Sequence, residues 1–250
     1  MRLSATRPLL ETEMSSYTNP IDYLTFPSGR TVRAARKEAK RYQKETGEPY
    51  TTCLNNVASQ HGMNANWDSS MTLLLDKAIE DAMQPRAPMT VDKLRKVAMR
   101  NPRITQYGIG MWGDFETLRP WIPVEDQLRE ERDTICELLP QANNALAFVN
   151  HLLPQKAIND GRLATSYEFK HIIEIMLRAL GVYCYIPHGA FIIAALHKGF
   201  LPKECGPGSH SLYFNISPDS PILKWDGNPD ADFAQTLKRD IIRLNPTSKF

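Results

Sequence analysis

Residues 22–62, DYLTFPSGRTVRAARKEAKRYQKETGEPYTTCLNNVASQHG, decide how the chain is read. Between Thr31 and Glu45 the apolar residues Val32, Ala35, Ala39 and Tyr42 recur every three or four positions, the spacing that forms one stripe of an α-helix. Cations crowd the rest of that helix. Arg30, Arg33, Arg36, Lys37, Lys40, Arg41 and Lys44 stand against a single acid, Glu38, and give residues 30–44 a charge of +6. Gly47 suits the left-handed turn that closes a helix, and Pro49 prevents its resumption. A second helix is predicted from about Thr51 to Gln60, with Thr51 or Thr52 as N-cap. Leu54, Val57 and Ala58 form its stripe, and Gly62 stops it. Ahead of both, Asp22 to Phe26 reads as a short strand closed by the turn Pro27-Ser28-Gly29. Its alternation puts Leu24 and Phe26 toward the helices and Tyr23 and Thr25 outward.

A strand and two helices of this size bury too little to be stable alone. Two copies overcome this if their strands pair across a twofold axis. The resulting two-stranded ribbon fits the major groove of DNA, and the start of the second helix offers free N–H groups to a phosphate. The runs Tyr23-Leu24-Thr25-Phe26, Arg33 to Arg41 (RAARKEAKR), Thr46-Gly47 and Leu54-Asn55-Asn56-Val57-Ala58 resemble a ribbon-helix-helix DNA-binding domain. The stretch Thr25 to Val32 with the basic helix behind it is similar to regulators of conjugative plasmids and integrative elements, AcaB-type transfer activators among them. The likeness covers residues 22–62 only. It departs from the family pattern where Pro27-Ser28-Gly29 separates strand from helix.

The resemblance implies a homodimer that binds double-stranded promoter or operator DNA and activates transfer genes, with RNA polymerase as a further contact. It assigns Thr25 and Arg30 to base reading. Arg33, Arg36, Lys37, Lys40 and Arg41 would hold phosphates, and Thr51 and Thr52 would anchor the second helix. A helix-turn-helix built on the same segment fits less well, because Thr51 to Gln60 carries no Lys or Arg beside its would-be groove. An interaction protein that sets the basic helix on an acidic partner is the main alternative, and a DNA-processing enzyme of a mobile element is a more distant one.

The whole chain of 250 residues is 42% hydrophobic and 23% charged, a balance that excludes a disordered polymer. Its most apolar stretch, Val182 to Leu196, contains Pro187 and His188 and falls short of the ~20 residues of a membrane span. Residues 1–17 hold no secretory apolar region. Cys53, Cys136, Cys184 and Cys205 show no paired spacing, which suits reduced thiols in a cytoplasm. The expected fold is mainly α with short strands. Residues 1–20 form a tail, 21–83 the ribbon-helix-helix unit and 84–250 a larger helical domain, with a hinge at Gln84 to Met89.

Further helices are expected at 69–83, 90–99, 125–139, 141–152, 166–180, 190–198 and 229–244. The one at 69–83 is capped by Asp68 or Ser69, the one at 166–180 by a Thr165/Glu168 capping box, and the last by Asn228 with Pro229 behind it. Residues 101–123 read as irregular and 212–216 as a strand. A second basic block, Arg86 to Arg103, carries +5, and Asp114 to Glu137 carries −5.

Catalytic signals are weak. Cys184, His188, His197, Cys205 and His210 lack the close ligand pairs of a zinc site, and Cys184 sits in an apolar run where a thiol acts as a small core residue. His171 and Glu174 lie on one helix face at a spacing typical of surface networks. No nucleophile motif or paired acidic metal site appears, so the expectation is a protein that is not an enzyme and uses no metal and no cofactor.

Overall fold

The computed structural model describes residues 19–110, 121–158, 163–182, 184–224 and 232–244. Of the tail expected over residues 1–20, residues 1–18 lie outside these, as does the expected cap Asn228 with Pro229, whereas Asn19 and Pro20 begin a 3-10 turn. The chain is mainly helical, with two small antiparallel two-stranded sheets among the described residues.

Helix α1 (Val32–Thr46) forms as its periodicity requires. Thr31 caps it, its side chain accepting from Ala34 N at 3.2 Å, and Gly47 closes it at φ 74° in the left-handed region. Val32, Ala35 and Ala39 are fully buried. Helix α2 (Tyr50–Gln60) returns against α1, and α3 (Trp67–Met83) crosses behind α2. Their facing side chains, with Leu24, Phe26 and Met63, make the smaller of two hydrophobic cores.

The strand expected over Asp22 to Phe26 is corrected. Asn19 accepts from Ile21 N at 3.1 Å and starts a 3-10 turn over Pro20–Tyr23, so the first two residues of the would-be strand are coiled. Only Thr25 is bridged, to Thr31 of its own chain. The bonds flanking that bridge run from Phe26 N to Arg30 O and from Val32 N to Leu24 O, at 2.8 and 2.9 Å. The expected alternation of faces survives. Leu24 and Phe26 are buried in the core, and Thr25 is exposed.

Cap assignments are corrected too. Pro49, not Thr51 or Thr52, is the N-cap of α2, and Asn66, not Asp68 or Ser69, caps α3 by accepting from Ser69 N at 2.9 Å. A Pro cap carries no side-chain acceptor, so the threonines beside it drew the prediction.

Helix α4 (Val91–Arg100), capped by Thr90, opens the larger core. The segment expected to be irregular contains a hairpin, β1 (Ile104–Thr105) and β2 (Gly108–Ile109). The helix expected over 125–139 divides into α5 (Val124–Thr134) and a 3-10 turn, Ile135–Leu138. After it come α6 (Leu139–Val149), α7 (Ser166–Ala179), α8 (His188–Lys198) and α9 (Asp232–Leu244). The capping box of α7 forms as read, Thr165 and Glu168 each bonding the other's backbone N–H. Strand β4 (Leu212–Phe214) pairs with β3 (Pro202–Glu204).

At the centre α6 and α8 pack on each other, with Ala142 to Val149 and His188 to Ala195 buried on every side. Gly189 is required where β1 meets α8. A Cβ there would lie 2.0 Å from Thr105 O, and a backbone oxygen cannot swing aside.

The two cores meet at residues 84–89. The Lys198 ammonium donates to Gln84 O, Arg86 N donates to Asn150 Oδ1 at 3.3 Å, and Asn143 brackets Met89 through both its N–H and its C=O. The segment expected as a hinge is therefore fastened along its length. Leu201, which follows α8 in the chain, crosses over and is buried in the smaller core. No described helix is long and apolar enough to cross a membrane.

Candidate nucleic-acid interface

Helix α1 turns by about 100° per residue. On that wheel Arg33, Lys37, Lys40, Arg41 and Lys44 fall within an arc of about 100°. The buried Val32, Ala35 and Ala39 lie on the opposite side. All five cations are exposed. From Arg33 to Lys44 the rise is about 16 Å, close to half of the ~34 Å of one duplex turn. A stripe of this length and sign is an electrostatic footprint for a polyanion.

The remaining predicted contacts are placed unevenly. Arg36 is half-buried and points its guanidinium at Asp22 at 3.1 Å, so it serves as a strut between α1 and the 3-10 turn. Arg30 is exposed, with Nε 3.8 Å from Glu38. Arg41 lies 3.7 Å from Glu45 and rests over the Tyr42 ring, both at the surface. Thr25 is exposed on the first arm of the hairpin, whose tip is Pro27-Ser28-Gly29. Because the bonds flanking the Thr25–Thr31 bridge belong to Phe26 and Val32, the backbone N–H and C=O of Thr25 turn away from Thr31. Thr51 and Thr52 are exposed in the first turn of α2, where backbone N–H groups lack intrahelical acceptors. Thr25 and Arg30 thus sit before α1, and Thr51 and Thr52 beyond its end.

What holds the hairpin to α1 is a polar chain absent from the sequence reading. His61, just after α2, contacts Glu38 through Nε2 at 3.2 Å and Ser28 through Nδ1 at 3.0 Å. The Phe26 ring packs on His61 and on Trp67, and Pro27 comes within 3.3 Å of where a side chain on Gly62 would begin. Glu38, the one acid in the basic run, is therefore a fastener. Burial pushes the Tyr50 phenol up from its ordinary range, with nearby Arg36 opposing. Lys44 is not among the expected phosphate contacts, yet the same 100° arithmetic places it among the other cations.

The histidines and cysteines considered for a metal do not converge. Among the described residues no group of three or more His, Cys, Asp or Glu is arranged to hold an ion. His188 is buried between Ser166, whose Oγ lies 2.7 Å from Nε2, and Tyr107 O, 2.9 Å from Nδ1. Ser166 Oγ also accepts from Leu212 N at 2.8 Å. The Ser–His contact is closed off from solvent and ties α7, α8, β4 and the β1–β2 turn together. Burial pulls the His188 imidazole down to about 4. His210 contacts Ile109 O at 2.8 Å, and His197 lies near the other end of α8 from His188, beside Arg86. His171 and Glu174 meet at 3.0 Å as expected, and Glu174 also receives the buried Lys170 and Ile186 N.

No protein-family model, curated protein or solved structure matches the chain.

Proposed function

We propose that this chain is a cytoplasmic, homodimeric, sequence-specific DNA-binding regulator that activates transfer genes of a conjugative element. The observation that carries the reading is the exposed cationic arc of α1, five side chains on the face opposite the buried stripe. The outward backbone edge at Thr25 supports the dimeric form. A second copy adding there would extend the Thr25–Thr31 bridge into a ribbon and bring Thr25 and Arg30 of both copies to one groove. Phosphate contacts would come from Arg33, Lys37, Lys40 and Arg41, and the first turns of α2 would receive the duplex backbone. Arg36 keeps its structural role beside Asp22. The larger core would position the dimer and meet RNA polymerase.

Fluorescence anisotropy on promoter-length duplexes tests this. Three phosphates neutralised per subunit give a dimer a slope of log affinity against log salt of roughly −5. Lys37→Ala with Lys40→Ala removes four of those charges from the dimer, and the slope becomes shallower by roughly 3 to 4. Absence of duplex binding at low salt, or an unchanged slope in the double variant, overturns the proposal.

A further inference from the structure

The two cores leave a cleft of about 1010 Å³ between them. It is at the upper end of the ~300–1,000 Å³ range of small-molecule sites. One wall is the Thr25 hairpin and the start of α1, and the other is the end of α4 and the end of α8, with α3 as the floor. Six stretches of chain contribute, over 22–33, 63, 73–81, 86, 97–101 and 196–202, and they bring Arg33, Lys77, Arg86 and Arg100 to one cleft. Among the described residues none of these four cations has a carboxylate within ion-pair distance, whereas Arg30, Arg36, Arg41, Arg95 and Arg103 all do. Two acids also line the cleft. Asp22 is taken by Arg36, whereas Asp81 gives Arg86 only its backbone oxygen, at 2.9 Å, and the same guanidinium nitrogen also donates to Lys198 O at 3.1 Å.

Asp22 Oδ1, Arg86 Nε and His197 Nε2, on three of the lining residues, are sealed from solvent and so lie out of an occupant's reach. Between the cations the lining is aliphatic: Leu73, Leu74, Ala78, Val97 and Leu196. Leu73 is 55% exposed, so its side chain is open to an occupant.

We propose that this cleft binds an organic anion, its charged head among Lys77, Arg86 and Arg100 and its apolar body on Leu73, Leu74 and Val97. The head is a carboxylate, phosphate or sulfonate, all of which suit the planar donors of arginine. The site is separate from the exposed arc of α1 except for Arg33, and Thr25 of the proposed ribbon also lines it.

The probe is 8-anilinonaphthalene-1-sulfonate, titrated into the full-length protein, with uncharged N-phenyl-1-naphthylamine alongside. The anionic dye binds one saturable site and the neutral dye binds at least tenfold more weakly. Lys77→Gln with Arg100→Gln weakens the anionic dye at least tenfold, and Arg95→Gln, on α4 but outside the cleft, leaves it unchanged. Lys77 and Arg100 are exposed, so the variant keeps its helical circular dichroism. Equal affinity for the two dyes, or wild-type affinity in the double variant, overturns the proposal. Neither readout involves DNA, so failure here leaves the α1 reading standing, and the reverse holds as well.

Discussion

Helices α1 and α8 are built from opposite patterns. In α1 a stripe of three small apolar residues faces inward and the rest meets solvent, whereas in α8 every residue from His188 to Ala195 is buried. A stripe of alanines and one valine buries little area, so α1 depends on its cap, on Arg36–Asp22 and on the Glu38–His61–Ser28 chain to stay in place. Helix α8 is held by packing on all sides, and its polar groups serve that packing. The difference teaches where each helix has freedom to change: α1 at its surface, α8 almost nowhere.

Substitutions should expose this contrast, beginning where tolerance is least. Gly189→Val drives a branched side chain into Thr105 O, a backbone atom. Urea unfolding should show a loss of about 4 kcal/mol or more, and a loss under 1 kcal/mol would mean that β1 yields easily. Leu201→Ala empties a buried site in the smaller core, and about 3 kcal/mol is expected from the same measurement.

His188 supplies a pH-dependent counterpart. Its folded imidazole titrates at about 4 against an ordinary 6.5, so as the pH falls the unfolded chain takes up the proton first. Its contribution to stability is complete above about pH 6.5 and is lost between there and about pH 4, a change of about 3 kcal/mol. His197 is shifted in the same direction by burial and by Arg86, Lys93 and Lys198. In His188→Gln the acid dependence should shrink by that amount, and an identical dependence would show that His188 titrates alike in the folded and unfolded chain.

On α1 the effects are smaller. Thr31→Ala removes the cap and should cost about 1 kcal/mol. Lys40→Ala touches neither core and should change stability by less than about 0.5 kcal/mol while weakening duplex binding.

Much of this arrangement was legible in advance. The α1 stripe, Gly47, the Thr165 capping box and the strand near Leu212 follow from spacing and local chemistry that act within a few residues. Failures occurred where local preference was outweighed or silent. The β-forming run Tyr23-Leu24-Thr25-Phe26 was overruled by Asn19-Pro20, which coil the chain just before it. Pro49 and Pro187 start helices without a side-chain cap and so leave no signature. The β1–β2 hairpin has two residues per strand, too few for alternation to register. The cationic arc of α1 could be read directly because one helix supplies it. The cleft could not, since Arg33, Lys77, Arg86 and Arg100 come from segments that only tertiary folding brings together.

The side chain of Leu201 has one more implication. A fragment ending at Met83 would lack a plug for its own interior, and a fragment starting at Gln84 would carry an orphaned leucine on its outside. The amino-terminal unit is therefore not a portable cassette. Grafting it onto another protein would require a substitute for that one leucine.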